Sequence, residues 1–232
     1  MLAYHVDTNV ILVEPFDYRH DCHRLADADR IMANLTKRGH GVDLHILDNE
    51  CSATYKLQIE EKWGAKIQLV PPDVHRRNIA ERAIRTFKAH FLYILAGFSD
   101  AFPNFLWDCL MPQTELTLNL LRQSNIAPSI SAWEHYNCHF NFDATPMGPM
   151  VCPVIIHNKP TTCRSWDFRG CKGFNIGPAL NHYRCFHVTD ATTKALLYSD
   201  TIEFIHDYLT AQERKLRACT MRSLSLTWGW VR

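Results

Sequence analysis

A chain of 232 residues can bury one sizeable hydrophobic core and a smaller second one. Its 25 Lys and Arg against 24 Asp and Glu leave a net charge of +1, which excludes a globally basic nucleic-acid binder and confines any DNA affinity to a local patch. With 47% hydrophobic and 21% charged residues the chain is not a disordered one, no apolar run approaches the roughly 20 residues of a membrane span, and nine scattered cysteines without a C-x-x-C exclude a disulfide framework. The expectation is a soluble intracellular protein, in a reducing compartment and without a membrane partner.

Leu2 to Val6 and Val10 to Glu14 are β-rich runs separated by Asp7-Thr8-Asn9, a hairpin pattern. His20, Cys22 and His23 follow, a cluster without the second pair that a zinc finger needs. Asp21 to Arg38 carries Leu25, Ala28, Ile31, Met32 and Leu35 at helical spacing and stops at Gly39. Val42 to Leu47 is a short strand delivering Asp48 and Asn49. Ser52 to Trp63 is helical up to Gly64, and Lys66 to Val70 is a strand closed by Pro71 and Pro72. This alternation predicts an α/β unit built on a mixed sheet with helix crossovers.

Ile79 to Ala96 and Asn104 to Arg122 read as two long helices. Ser124 to Pro149 reads as a wrapping linker around a helical patch at Ala132 to Tyr136. Short β-rich runs at Val154 to His157, Gly173 to Ile176, Tyr183 to Val188 and Ala195 to Tyr198 then predict a small barrel. The predicted organisation is a core over 1–124, a linker over 125–150, a β module over 151–209 and a tail over 210–232.

Two carboxylates stand out by position, Asp48 at a strand exit and Glu81 in the first turn of a helix. Hard oxygen ligands on rigid elements suit Mg²⁺, and a pair of such ions can serve phosphodiester chemistry. Glu81, Arg85 and Lys88 fall at i, i+4 and i+7, so one helix face presents a carboxylate followed by two cations. The plainer reading of that face is an ordinary Glu81–Arg85 surface pair. His75, Arg76 and Arg77 concentrate positive charge in the preceding loop, where DNA phosphates are natural partners, and Asn78 is placed to cap the helix.

Leu47-Asp48-Asn49-Glu50, then Val70-Pro71-Pro72, then Asn78-Ile79-Ala80-Glu81-Arg82 resembles the second and third members of the DDE triad in copia-type retrotransposon integrases. The two acids are 33 positions apart, slightly closer than is usual there, and Glu50 and Ile79 stand where the family has glycine. The resemblance runs over about residues 1–209. It implies a ribonuclease-H-like core lacking its first strand, followed by an SH3-like module, and a Mg²⁺-dependent (or Mn²⁺-dependent) strand transfer of element DNA into a target. Asp48 and Glu81 would be the catalytic metal ligands, and His75, Arg76, Arg77, Arg85 and Lys88 the DNA contacts. DNA is the implied partner, with a homo-oligomer as the working state and the nucleus as the site of action. No residue matches the triad's first Asp; Asp7 is read as a turn residue. A fragment that binds DNA weakly and catalyses nothing is therefore expected, and a non-catalytic assembly remnant or an unrelated structural protein are the alternatives.

Overall fold

The computed structural model describes residues 1–15, 20–47, 51–71, 79–96, 102–158, 163 and 165–205. They form two compact units, Met1–Lys88 with Glu115–Phe140 and Ala89–Thr114 with Asn141–Arg232.

The first unit opens with the expected hairpin. β1 (Leu2–His5) pairs antiparallel with β2 (Val10–Val13), in a register running from Leu2 opposite Val13 to His5 opposite Val10. The turn between them closes on Asn9 at φ 61°, a left-handed conformation that Asn tolerates better than most residues. Asp7 sits in this turn, where its carbonyl accepts the Ile126 N–H at 3.3 Å.

α1 (Asp21–Lys37) buries Ala28, Ile31, Met32 and Leu35, one face of a 3.6-residue period. Ile31 and Leu35 join Val10 and Leu12 of β2 in one apolar cluster, while Ala28 and Met32 join Tyr55, Ile59 and Ala65 in a second. Those last residues belong to a β-α-β unit: β3 (Leu44–Leu47), α2 (Ala53–Trp63) and β4 (Lys66–Leu69). β3 and β4 run parallel, Leu44 opposite Lys66 and Leu47 opposite Leu69. Ser52 caps α2 by accepting the Tyr55 N–H at 3.2 Å, and Gly64 ends it at φ 66°. Asp29 of α1 ties the two helices together. Its carboxylate accepts from Gln58 at 2.6 Å, Lys62 at 2.8 Å and the Trp63 indole at 2.8 Å. Partial burial disfavours the Asp29 anion, but these three donors outweigh it and hold the carboxyl below its ordinary range.

The structure departs here from a single mixed sheet. Among the described residues β1–β2 and β3–β4 are two separate two-stranded sheets. Among the described residues no strand pairs with the edge of β1 that faces away from β2, whereas the outward peptide groups of β2 are satisfied by side chains. α4 (Met111–Leu121) supplies them. Asn119, fully buried, accepts the Ile11 N–H at 2.9 Å and donates to the Ile11 carbonyl at 2.8 Å. Glu115 accepts the Val13 N–H at 2.7 Å, and Arg122, just past the helix, donates to the Asn9 carbonyl at 3.1 Å. Residues 115, 119 and 122 share one helix face, and residues 9, 11 and 13 share one strand edge. The helix thus occupies the place of a neighbouring strand.

The long helix expected from Asn104 to Arg122 is divided. Asn104–Leu110 is a 3-10 helix with Leu106 off helical geometry, and α4 begins at Met111. Pro112 explains the break, because it has no N–H to give to the preceding turn and is at home only in the first turn of a helix. α5 (Ala132–Tyr136) appears where expected, capped by Ser131, which accepts the Glu134 N–H at 3.0 Å. α3 (Ile79–Ala96) also has the expected bounds. Residues 125–140 pack with the first unit, and 141–150 with the second.

The second unit holds five antiparallel strands: β5 (Pro153–His157), β6 (Gly170–Pro178), β7 (Phe186–Asp190), β8 (Leu196–Ser199) and β9 (Ile202–Phe204), in the order β8-β7-β6-β5-β9. Val154, Ile156 and Val188 form its centre, with Phe186, Ile202 and Phe204 against them. In a flat sheet the two edge strands would lie about 19 Å apart, four spacings of about 4.8 Å. Ser199 and Ile202 are three residues apart and can be separated by at most about 11 Å. The sheet therefore curls until its edges meet at this corner. The strand predicted from Tyr183 begins instead at Phe186, because Arg184 adopts φ 54° in a turn that the Cys185 N–H closes onto the His182 carbonyl at 3.4 Å.

The α4 clamp makes a direct prediction. Asn119→Leu keeps volume but leaves the Ile11 N–H and carbonyl buried without partners, and should lower unfolding stability by about 2–5 kcal/mol. Leu121→Ala, at a position 76% exposed, should change it by less than about 0.5 kcal/mol. Urea unfolding of both variants checks this.

Candidate functional site

The parallel pair β3–β4 ends on one edge. The Val70 N–H donates to the Leu47 carbonyl at 2.9 Å, so the exits of both strands lie side by side. In α/β units this carboxyl edge is where ligands are usually held, since loops and helix starts converge there. The chain leaves β3 into Asp48 and leaves β4 through Val70 and Pro71 toward α3. Asp48 lies outside the described residues, as do His75, Arg76 and Arg77, and so does the separation between Asp48 and Glu81.

Glu81, Arg85 and Lys88 are described, and they fall where helical spacing put them. With 100° per residue the three span about 60° of the α3 circumference. Glu81 is half-buried, and Arg85 and Lys88 are exposed. Ala83, Phe87 and Phe91 are buried and occupy a stripe centred roughly 130° away from the charged one. α3 thus separates an anchoring apolar face from a face bearing one carboxylate in its first turn and two cations beyond it. Cations on an exposed helix face can meet phosphates without desolvation cost. Among the described residues no three His, Cys, Asp or Glu side chains are grouped so as to hold a metal ion.

A polar hollow of about 460 Å³ lies elsewhere in the first unit, lined by Asn9, Arg122, Gln123, Ser124, Asn125 and Pro128. Its polar groups are already engaged. The Arg122 guanidinium donates to both the carbonyl and the side-chain oxygen of Asn9, and the Asn9 amide donates to the Gln123 carbonyl at 2.6 Å. The hollow is the outer rim of the α4 clamp.

One carboxyl of the clamp is strongly shifted. Burial pushes Glu115 up from 4.5 to about 7, against the stabilising Val13 N–H and with the nearby Glu14 adding to the rise. A carboxyl that keeps its proton near neutrality is the usual mark of an acid–base site. This one is half-buried against the strand and occupied by a backbone donor, so its role is structural. No composition or motif signal distinguished Glu115, Asn119 and Arg122. Their i, i+4, i+7 spacing, the same as that of Glu81, Arg85 and Lys88, was the available clue.

No family model matches the chain, and no curated protein does either. Among solved structures, the simian T-cell lymphotropic virus intasome in complex with PP2A regulatory subunit B56 gamma aligns with 90% of this chain and 72% of its own at 11% identity and a TM-score of 0.47. Neither figure reaches the level at which shape alone would assign a fold. No helix among the described residues is long and apolar enough to cross a membrane.

Glu115 gives a pH prediction with a definite sign. Its folded value lies above its unfolded one, so its contribution is present below about pH 4.5 and is lost as pH rises through about 7. Glu115→Gln keeps an oxygen for the Val13 N–H and cannot ionise. It should flatten the fall in stability between about pH 4.5 and pH 7, with a gain on the order of 3 kcal/mol above that window. Thermal or urea unfolding across that range measures it.

Proposed function

We propose that the chain is a copia-type integrase core with an SH3-like module, whose first unit binds DNA at the β3–β4 carboxyl edge and along α3. The observation that supports this reading best is the shared exit edge of two parallel strands, followed in sequence by a helix that carries Glu81, Arg85 and Lys88 opposite its buried face. That arrangement suits a polynucleotidyl transferase, which needs carboxylates at rigid element ends and cations beside them to seat a phosphodiester. The curled five-stranded sheet of the second unit suits a small SH3-like barrel.

In this reading Asp48 and Glu81 hold Mg²⁺ or Mn²⁺. The donor chemistry fits in kind, since both offer hard carboxylate oxygens. When bound, such ions would activate an attacking oxygen and stabilise the leaving one. His75, Arg76, Arg77, Arg85 and Lys88 seat the DNA backbone, and a second copy of the chain and a nuclear setting accompany the activity. Because no residue matches the first carboxylate of the triad, the chain by itself should hold DNA without joining strands.

Duplex DNA binding measured against salt tests the proposal. Four phosphate contacts from Arg76, Arg77, Arg85 and Lys88 give a log–log slope of about −3 to −4, and Arg85→Ala with Lys88→Ala should reduce its magnitude by about 2. Binding that is absent at low salt, or a slope untouched by the double substitution, overturns it. Strand transfer on labelled element-end DNA with Mg²⁺ or Mn²⁺ should give no product. Product that Asp48→Asn abolishes would mean that the missing carboxylate lies within this chain.

A further inference from the structure

Three histidines from three separate segments of the first unit converge in a file that the proposed DNA surface does not use. His5 ends β1, His40 follows α1, and His135 lies in α5. The ring centroids of His5 and His40 are 5.5 Å apart, and those of His40 and His135 are 5.9 Å apart. Each ring is fixed by a partner. His5 Nδ1 lies 2.9 Å from the Thr8 hydroxyl and accepts the Thr8 N–H at 3.4 Å. His40 Nε2 donates to the Tyr136 carbonyl at 3.0 Å, and its ring stacks on that of Tyr136 at 5.7 Å. His135 Nδ1 lies 2.6 Å from the Ser124 hydroxyl, which also accepts the Ala127 N–H at 3.2 Å.

A proton on His5 Nδ1 would face the Thr8 N–H, so this contact favours the neutral His5 ring. The surrounding charges do not favour two cations. From the hairpin turn, Asp7 draws a proton toward His5. From just past the end of α1, Arg38 lies over the Tyr136 ring at 4.6 Å and donates to Asn137 at 3.0 Å. From α5, the Glu134 carboxylate is engaged by His139 at 3.1 Å. Burial, and then His40, hold the His5 imidazole below its ordinary value; Asp7 opposes them, and His135 adds to the lowering.

The file joins the hairpin turn to the strap formed by residues 122–136. Beyond the Arg122 and Gln123 contacts to Asn9, the strap meets the hairpin through the Ile126 N–H to the Asp7 carbonyl at 3.3 Å, the Asn125 amide to the Val6 carbonyl at 2.5 Å and the Tyr4 hydroxyl at 3.1 Å, and the Ser124 hydroxyl 3.4 Å from the Asp7 carbonyl. We propose that His5, His40 and His135 form a pH-sensitive latch, which holds the 122–136 strap on the β1–β2 hairpin while the rings are neutral and loosens it when more than one is protonated. Two positive rings within about 6 Å repel strongly enough in a half-buried setting to shift a local opening equilibrium by about tenfold. The sign follows from His5, whose imidazole the folded state holds below its ordinary value. The open state binds more protons, so the latch weakens as pH falls below about 6.5.

Amide hydrogen exchange on the full chain at pH 7.5 and pH 5.5, corrected for intrinsic exchange, tests this at Ser124 and Ile126. Protection of both should fall by about tenfold at the lower pH, while that of Ile59 in the buried α2 core stays within about twofold. In His40→Gln, which keeps a donor for the Tyr136 carbonyl, the fall at Ser124 and Ile126 should shrink to less than about twofold. Unchanged protection in the parent chain, or an equal fall in His40→Gln, overturns the latch. If His40→Gln does not fold, ring titration followed by NMR in the parent and in His135→Gln decides. His5 should then titrate below its ordinary value and move up when His135 is removed, and a His5 that ignores the substitution overturns the proposal.

Discussion

The first unit depends on how β2 disposes of its outward peptide groups. A strand edge facing the protein interior must find donors and acceptors or carry a penalty of about 1–3 kcal/mol for each buried group left alone. Glu115 and Asn119 of α4 and Arg122 just past its end supply those partners. Asn119 suits the central position because its amide offers one donor and one acceptor in a plane, which is the pattern of the peptide it faces. The clamp fixes the height of α4 along the hairpin, and through Arg122 it fixes where the 122–136 strap begins. α5, the histidine file and the rim of the polar hollow all follow from that placement.

The cost of the clamp is a carboxyl in an apolar setting. Glu115 accepts one backbone N–H, yet burial keeps its acid form favoured up to about neutrality. Asp29 is the opposite case. Three donors outweigh a modest desolvation, and the anion is stabilised. The same chemical group is pushed in opposite directions within one unit because the number of donors differs, not because either lies near a catalytic centre.

Local periodicity made much of the fold legible. The apolar stripe of α1, the Ser52 and Gly64 ends of α2, and the bounds of α3 and α5 are all set by short-range rules of helix packing and capping. Errors arose where one residue overrode its neighbours. Pro112 divides the helix expected from Asn104, and Arg184 at positive φ delays β7. The separation of the hairpin from β3–β4 was illegible in a different way, because strand pairing is non-local and α4 as a substitute strand leaves no mark in composition. For the candidate site, the i, i+4, i+7 spacing puts Glu81, Arg85 and Lys88 on one side of α3. It could not say why an identical spacing on α4 should turn inward; that depends on Ile11 being buried 108 residues away in sequence.

α1 has a consequence for how the first unit opens. Its Ile31 and Leu35 side belongs to the hairpin cluster and its Ala28 and Met32 side to the β3–α2–β4 cluster, with Met1 and Val42 touching both. Two sheets that share no hydrogen bonds among the described residues would ordinarily behave as two independent exchange units. Here neither can shed its cover without stripping the other, because the same two turns of helix roof both. Cooperativity in this unit is therefore carried across an apolar lid instead of along a hydrogen-bonded ladder, and a wedge driven under α1 would uncouple two foldons at once.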